Sequence, residues 1–539
     1  MNARQRIVAL AVIAALADTG ASASPNLTPL AEVQLGDASA GLALDQVKRK
    51  AYATNYTSGT LSIVDVDTQT GEAVDVGANP RRLAFNANLQ RAYIVNDTTP
   101  GTVTVFDATA KQVLATIPVG KRPRSISADF QYGEVYVANQ DSNTMTVIDT
   151  ATNTVKATVD VGSSPFMGDV NSRLGRVYVI SALDRTVHVV DQATKAVLAT
   201  VTTDRGPNAA TVDESTGKVY VNNVTDRTIQ IIDPATNHVA TTLPAGAGSN
   251  FGSISAIYRR YYLPNQTDFT VTAIDTDTDQ VVATIPVGAS PQQVIVDNTF
   301  GNLYVVNRLG NSVSSIDALT EKATEEIAVG INPWRAGVAM GRVFALNENG
   351  GRSDSMSILS ATGPLAGTAI ATEYYNADLD HYFHTANGVE NRLLQDGQFG
   401  NAWNRSFDFF RVWTTPAPDR VQVCRFFSDA FAPKSSHVYV VSAAECDALK
   451  SSSDWRFEGM SYYVALPDAQ GSCAAGTVPL YRVYNNGLGG APNHRITASR
   501  ALRDAMVTAG WVAEGSGTDT VYACVPSLRG NDAVAASGS

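Results

Sequence analysis

An aspartate recurs every 42 residues through nearly half of this 539-residue chain. Each copy closes a strand-like run rich in Val and Ile, and the seven positions are Asp65, Asp107, Asp149, Asp191, Asp233, Asp275 and Asp317. A fixed period of this length indicates one supersecondary unit repeated in space. The fold class therefore follows from the repeat rather than from any single motif.

Each repeat contains four short strand-like runs separated by turn residues. In the third repeat they cover residues 123–129, 134–138, 145–149 and 155–161. A tyrosine marks the second run, at Tyr52, Tyr93, Tyr136, Tyr178, Tyr220, Tyr262 and Tyr304, with Phe344 in the eighth place. Four strands in about 40–45 residues are typical of a β-propeller blade. The sequence predicts a mostly β chain with an eight-bladed propeller, or a seven-bladed one if the last repeat only packs on the ring.

The last repeat lacks a fourth strand, and the missing strand is expected at the other end of the chain. Ala31 to Gly36 has the pattern of the fourth run in other repeats. Pairing this N-terminal strand into the last blade, at residues 355–359, would close the ring and leave no open sheet edge.

Two polar positions recur at the predicted turns. An Asn three residues after the tyrosine, as at Asn139, is expected to adopt left-handed backbone and to bond its own turn. The repeated aspartates, such as Asp149 with Thr152, are expected to cap hairpins with their side chains.

The strings Tyr136-Val-Ala-Asn139 and Tyr304-Val-Val-Asn307, the V-I-D strand and the closing V-G-x-x-P resemble the YVTN β-propeller repeats of bacterial and archaeal secreted and surface-layer proteins. The resemblance covers about residues 31–359. It implies a propeller without implying one activity, since one fold hosts many functions.

The net charge of the chain and its N-terminal segment indicate possible partners and the cellular location. The net charge of −11, without a Lys/Arg run, argues against nucleic acid or an anionic membrane as partner. Residues 1–23 have the features of a signal peptide, with Arg4 and Arg6, an apolar run and the small-residue site Ala21-Ser22-Ala23. No later segment is apolar enough to be transmembrane. We expect a secreted protein, periplasmic or extracellular, and a monomer.

The 42-residue period stops after residue 363. We predict a propeller at 24–363, a linker at 364–371, a C-terminal α+β domain at 372–526 and a disordered tail at 527–539. Histidines and tryptophans repeat in the C-terminal domain with a longer spacing, which indicates three units, at His381, His437 and His494, and at Trp403, Trp455 and Trp511.

The strings YYN…DHYFHTA, CRFFS…SHVYV…AAEC and YRVYNNG…NHRIT…GWVAEG resemble DUF5648, an uncharacterised repeat domain of secreted bacterial proteins. That resemblance implies a domain suspected of binding carbohydrate. The candidate ligand-binding residues are Tyr375, His381, Tyr382, His437, His494, Trp455 and Trp511. The histidines could instead form a metal set or donate to backbone, and the aromatic residues could be core.

All four cysteines lie in the C-terminal domain and allow three pairings. We favour two disulfides, Cys424–Cys446 and Cys473–Cys524. Zinc is the alternative, but export and the absence of C-x-x-C spacing argue against it.

A second candidate site follows from the propeller geometry. The residue after each blade-entry proline should lie at the mouth of the central channel. These residues and their neighbours could hold an anionic or sugar-like ligand, or they could be solvated loop residues: Arg81, Arg82, Arg124, Phe166, Asn208, Asn250, Gln292, Trp334 and Arg335.

Catalytic and cofactor motifs are not evident. The chain has no C-x-x-C-H haem site and no nucleophile elbow, and Asp275 to Asp279 lacks the glycine and the glutamate of a calcium loop. We predict no metal, no cofactor and no catalytic residue. The predicted function is non-catalytic binding of carbohydrate or a cell-surface component. The alternatives are a propeller hydrolase of the lactonase type and a structural component of the envelope or surface layer.

Overall fold

The computed structural model describes residues 6–7, 27–297, 302–318, 320–349, 353–361, 367–395, 402–432, 434–488 and 491–528. The chain divides into two compact units, Met1–Pro364 and Leu365–Ser539. Most of the predicted signal peptide (1–23) and of the predicted tail (527–539) lies outside the described residues, as does part of the predicted linker (364–371). The first strand of the second unit begins at Thr368, inside that linker segment.

The described part of the first unit contains eight antiparallel sheets, seven of four strands and one of five, here called sheets 1 to 8. Sheets 1 to 4 contain Ser39–Asp45, Lys50–Asn55, Thr60–Asp65 and Thr70–Asp75; Pro80–Asn86, Arg91–Asn96, Gly101–Asp107 and Gln112–Val119; Pro123–Asp129, Glu134–Asn139, Thr144–Asp149 and Thr154–Asp160; and Pro165–Asn171, Arg176–Ser181, Thr186–Asp191 and Val197–Thr202. Sheets 5 to 8 contain Pro207–Val212, Val219–Asn223, Thr228–Asp233 and His238–Pro244; Ser253–Ser255, Arg260–Asn265, Thr270–Asp275 and Gln280–Pro286; Pro291–Asp297, Asn302–Asn307, Ser312–Asp317 and Lys322–Ala328; and Pro333–Ala339, Arg342–Asn347, Ser355–Ala361 and Leu27–Gln34. A two-residue strand, Arg6–Ile7, also pairs at the edge of sheet 1.

Sheet 8 is assembled from both ends of the first unit. The N-terminal strand Leu27–Gln34 pairs antiparallel with Ser355–Ala361, with Val33 opposite Met356. This is the pairing predicted from the sequence. Sheets 1 and 8 also share one hydrophobic cluster, which includes Val64 of sheet 1 and Phe344 of sheet 8. The first strand of sheet 1 contacts the first strands of both sheet 2 and sheet 8.

The repeated tyrosines are buried between sheets, and several reach a turn of the following sheet. The Tyr93 hydroxyl donates to Asn153 Oδ1 at 3.0 Å, and the Tyr220 hydroxyl donates to Asp279 Oδ1 at 3.2 Å. Burying such a side chain stabilises the fold by about 1.5–3 kcal/mol, and the hydroxyls of Tyr93 and Tyr220 are hydrogen-bonded at the same time. Tyr93 and Tyr220 thus each anchor their own sheet to the next one.

The repeated asparagines do not adopt left-handed backbone, so that part of the prediction was wrong. Asn139 Nδ2 instead donates across the hairpin to Thr144 Oγ1 at 3.1 Å and to Thr146 Oγ1 at 2.8 Å. A Cβ on Gly120 would lie 2.6 Å from Asn139, which explains the glycine of the V-G-x-x-P string. The aspartates do cap their hairpins, because Asp149 Oδ1 accepts from the backbone N–H of Thr152 at 2.8 Å.

The second unit contains three modules, each with a strand, a second strand that carries the repeated histidine, a helix and a further strand. Their elements are Thr368–Asn376, His381–Thr385, the helix Gly388–Gln395 and Trp403–Trp413; Val421–Ser428, Ser436–Val440, the helix Ala443–Lys450 and Arg456–Val464; and Thr477–Tyr484, His494–Thr497, the helix Arg500–Thr508, Val512–Glu514 and Ala523–Pro526. The strands of modules 1 and 2 form one six-stranded sheet. The disulfides are Cys424–Cys446 and Cys473–Cys524, the pairings favoured from the sequence.

None of the helices in the described ranges is long and apolar enough to cross a bilayer.

Candidate functional site

A cleft of about 390 Å³ lies in the second unit, between modules 1 and 2. Its lining combines apolar and aromatic side chains with charged ones: Leu379, Phe383, Leu394, Trp403, Phe427, Glu390, Arg425, Arg456, Glu458, Ser435 and His437. A cavity of this size, in which polar groups converge on aromatic and aliphatic side chains, is typical of small-ligand sites.

Aromatic rings and guanidinium groups are layered along the cleft. The Trp403 ring packs edge-on against His381 and Phe383, with centroids 5.0 and 6.1 Å apart. The Arg456 guanidinium lies 4.9 Å from the centroid of the Phe427 ring. These contacts hold the rings in fixed orientations, because each ring is packed on at least one side.

Arg425 organises the charged side of the cleft. Its Nη1 and Nη2 donate to Glu390 at 2.9 and 2.8 Å, and its Nε lies 3.1 Å from Glu458 Oε2. Burial opposes ionisation of Glu390, but hydrogen bonds from Arg425 and Thr385 lower the pKa of Glu390 overall. The pKa of Glu458 is lowered too, since the hydrogen bond from His437 and the charge of Arg425 outweigh its burial. Both carboxylates are therefore ionised acceptors at neutral pH.

A chain of hydrogen bonds runs from Glu458 to Ser435. Because Glu458 only accepts, His437 Nε2 donates to it at 3.1 Å, and His437 Nδ1 is left as an acceptor. His381 Nε2 donates to His437 Nδ1 at 2.8 Å, and the Ser435 hydroxyl donates to His381 Nδ1 at 2.8 Å. Burial and the neighbouring His437 lower the pKa of His381 to about 2, so His381 is neutral. The partners of these two histidines are side chains, not the backbone groups considered in the sequence analysis.

The other predicted residues of this domain lie elsewhere in the second unit. Tyr375 and Tyr382 pack together with centroids 4.5 Å apart, and Trp511 contacts Tyr382 edge-on at 6.2 Å. His494 stacks on Tyr484 at 4.9 Å. Trp455 contacts Phe431 at 6.5 Å and packs on a separate cluster. The structure therefore brings His381 and His437 together with Trp403, and leaves the remaining predicted residues outside this cleft.

Charged cleft residues were missed by the sequence analysis. Glu390, Arg425 and Glu458 are ordinary surface types in a sequence, and they meet only because three elements of two modules converge. A signal for the cleft did exist in the repeated Trp403 and in the F-F-S string that contains Phe427.

The predicted residues of the first unit form several groups. Arg81 and Arg124 both pair with Asp97, with nitrogen–oxygen distances of 3.4 and 3.1 Å. The Arg82 guanidinium lies 5.8 Å from the Phe166 ring and 5.5 Å from the Phe251 ring.

Amide side chains form a second group in sheets 5 to 7. Asn208 Oδ1 accepts from Asn222 Nδ2 at 2.7 Å, and Asn250 Nδ2 donates to Gln292 Oε1 at 3.2 Å. Arg335 forms a third group with Trp334, since its guanidinium lies 5.2 Å from that ring.

Most of the residues predicted at the channel mouth lie at a β-bulge in the first strand of their sheet. The register of the first strand shifts directly after the entry proline in sheets 2, 3, 5, 7 and 8, which takes Arg124 and Trp334, among others, out of regular pairing. Bulges re-aim side chains in this way at sheet edges. In sheet 4 the bulge falls later, at Gly168 and Asp169, so Phe166 stays paired.

A cavity of about 500 Å³ is lined by residues from sheets 4 to 8, including Asp169, Thr211 and Ser253. Burial raises the pKa of Asp169, although the backbone N–H groups of Val212 and Val170 donate to it. Across the described residues of both units, no three His, Cys, Asp or Glu side chains are placed to hold a metal ion.

Comparisons with known proteins bear mainly on the second unit. Residues 371–521 match the family model described as a domain of unknown function (DUF5648). This agrees with the resemblance drawn from the strings around the three histidines. No significantly similar sequence is found among curated proteins.

Among solved structures, a chain of Kuenenia stuttgartiensis hydrazine synthase is similar to this one over 60% of this chain and 95% of its own. The identity is 15% and the TM-score is 0.43, so the likeness carries no argument about fold or activity.

Proposed function

We propose that this protein binds a carbohydrate ligand without chemical turnover, and that the cleft at Trp403, Phe427 and Arg425 is the binding site. The observation that carries the proposal is one cleft lined both by aromatic rings and by two ionised carboxylates that share one guanidinium. Aromatic rings suit the apolar faces of sugar rings, and fixed carboxylate and guanidinium groups suit hydroxyls. DUF5648 itself has no assigned ligand, so the proposal rests on the cleft.

Two observations favour ligand binding over hydrolysis as the function of this cleft. A glycosidase needs one protonated carboxyl as general acid, whereas the pKa values of Glu390 and Glu458 are both lowered. The bond from Ser435 to His381 favours a serine hydrolase, which is the second candidate function. However, a histidine with a pKa of about 2 is a poor general base near neutral pH.

The test is binding of the full chain to a panel of neutral, amino and uronic oligosaccharides. Phe427→Ala and Arg456→Ala should each weaken binding at least about 10-fold, since each removes one contact surface. Trp511→Phe is the matched control, because Trp511 lies outside the cleft, and it should bind as the wild type does. Equal binding by all three variants, or ester hydrolysis lost in Ser435→Ala, would contradict the proposal.

We further propose that the first unit is an eight-bladed β-propeller of the YVTN type, closed by Leu27–Gln34. The pairing with Ser355–Ala361 and the hydrophobic cluster shared by sheets 1 and 8 support closure. Deleting residues 27–34 should expose the edge of Ser355–Ala361 and cause aggregation on expression. A truncated chain that stays monomeric with an unchanged melting temperature would refute closure.

We also propose that the protein is secreted. The signal-like residues 1–23 and the two disulfides support an oxidising compartment. Mass spectrometry of the expressed chain should find a mature N-terminus near Ser24, and an intact Met1 on exported protein would refute cleavage.

A further inference from the structure

One nearly buried carboxylate in the first unit forms ion pairs with three guanidinium groups. Asp97, whose side chain is 4% exposed, lies 3.1 Å from Arg124 Nε, 3.4 Å from Arg81 Nη1 and 3.7 Å from Arg122 Nε. Arg122 also pairs with the exposed Asp141 at 3.4 Å, so three cations meet two carboxylates and an excess of one positive charge remains.

A fourth guanidinium, that of Arg335, adds to this excess. Burial and the charge of Arg81 lower the pKa of Arg335 to about 10. Its Nε is buried and makes no hydrogen bond within the described ranges, and the same holds for the neighbouring indole Nε1 of Trp334. Buried donors are nearly always satisfied in folded proteins, so two adjacent unsatisfied donors call for an acceptor.

The bulge in sheet 8 explains how these donors come to be available. The register shifts between Pro333 and Arg335, so the strand does not run regularly through this dipeptide. The Arg335 guanidinium lies against the Trp334 ring at 5.2 Å, which holds it in place without neutralising it. A positioned guanidinium matches the geometry of carboxylate and phosphate groups.

We propose that Arg335 and Arg81, with the indole N–H of Trp334, bind an oxyanion, the carboxylate or phosphate group of a small ligand. The anion accepts from Arg335 and Trp334 and offsets the charge that Asp97 leaves unbalanced. This site belongs to the first unit, and it does not depend on the carbohydrate cleft of the second.

The test uses the full chain and calorimetric titration with inorganic phosphate, citrate and galacturonate in a constant chloride background. At least one of these anions should bind, and the preferred one distinguishes phosphate from carboxylate. Arg335→Met should weaken that binding at least 10-fold. Without the anion the same variant should melt at a higher temperature, because it removes an unpaired cation from a desolvated position.

Arg205→Met is the control, since Arg205 is an exposed arginine already paired with Asp226 at 2.6 Å. It should leave both the anion affinity and the melting temperature unchanged. If Arg335→Met does not fold, Trp334→Phe removes only the indole donor and should weaken anion binding several-fold. Absence of binding by all three anions, or wild-type affinity in the folded variants, would overturn the proposal.

Discussion

His381 Nε2 lies 2.8 Å from His437 Nδ1, although the two residues are 56 positions apart in the chain. They occupy equivalent places in modules 1 and 2, so the contact is one between repeats. Each ring is neutral, because burial lowers the pKa of both His381 and His437. Two imidazoles can share one hydrogen bond in this way only while at least one of them is neutral, because the bond needs one acceptor nitrogen.

The second unit should therefore lose stability in mild acid. The pKa values of His381, His384, His437 and His494 are all lowered from 6.5 by burial, to about 3 in the case of His494. Below pH 6.5 these histidines become protonated in the unfolded chain but stay neutral in the folded chain. The stabilisation is thus complete above pH 6.5 and is lost as the pH falls toward the folded pKa values. At pH 5.5 the loss is about 1.4 kcal/mol for each strongly shifted histidine.

Urea unfolding followed by tryptophan fluorescence at pH 7.5 and 5.5 measures this loss. His494→Phe keeps the stacking on Tyr484 and removes one titrating group, so it should reduce the pH dependence by about 1.4 kcal/mol. His238→Gln, a substitution at an exposed position of the first unit, is the control. Equal stability at both pH values in the wild type would contradict the neutral histidines.

The two disulfides should contribute unequally. Cys473–Cys524 spans 51 residues and Cys424–Cys446 spans 22. In the chain-entropy model they stabilise the fold by about 4.1 and about 3.4 kcal/mol. Replacing each pair with serines, and comparing urea midpoints by circular dichroism, should show the larger loss for the longer loop. A larger loss from Cys424→Ser with Cys446→Ser would show that local packing outweighs loop entropy.

The repeated asparagine should matter through its two hydrogen bonds. Asn139→Ala removes both donations to Thr144 and Thr146 and should lower the free energy of unfolding by about 2 kcal/mol. Ser181 occupies the same repeat position and makes one hydrogen bond, to the Val161 carbonyl. Ser181→Ala should therefore cost about half as much. Equal costs, measured by urea denaturation of the first unit's transition, would refute this account.

Asp97 should couple stability to anion binding. Asp97→Asn removes the carboxylate between three guanidinium groups and should lower the free energy of unfolding by about 2 kcal/mol, since the arginines are only partly buried. The same variant should bind the anion more tightly, because a competing charge is gone. Asp141→Asn, an exposed partner of Arg122, should change the stability by less than about 0.5 kcal/mol. Weaker anion binding in Asp97→Asn, by titration, would contradict the coupling.

Much of the fold was predictable because its signals are local. The third repeat was expected to have strands at 123–129, 134–138, 145–149 and 155–161, and the structure has Pro123–Asp129, Glu134–Asn139, Thr144–Asp149 and Thr154–Asp160. Side-chain alternation and turn chemistry act over a few residues, so a sequence displays them directly. The backbone of Asn139 was mispredicted because asparagine serves both in left-handed turns and as a cross-strand donor.

The sequence alone determined the repeat length, the strand content, the cysteine pairs favoured and the repeated tyrosines such as Tyr136. The repeat could be predicted because buried positions recur periodically, and the residue types at those positions recur with them. Only the tertiary structure decided that Arg425 meets Glu390 and Glu458, and that Arg335 Nε is buried without a hydrogen bond among the described residues. The sequence around a charged side chain contains no local pattern that predicts its ion-pair partner. The pairing of charged side chains depends on which strands and bulges converge in space, and that convergence is a property of the packed chain.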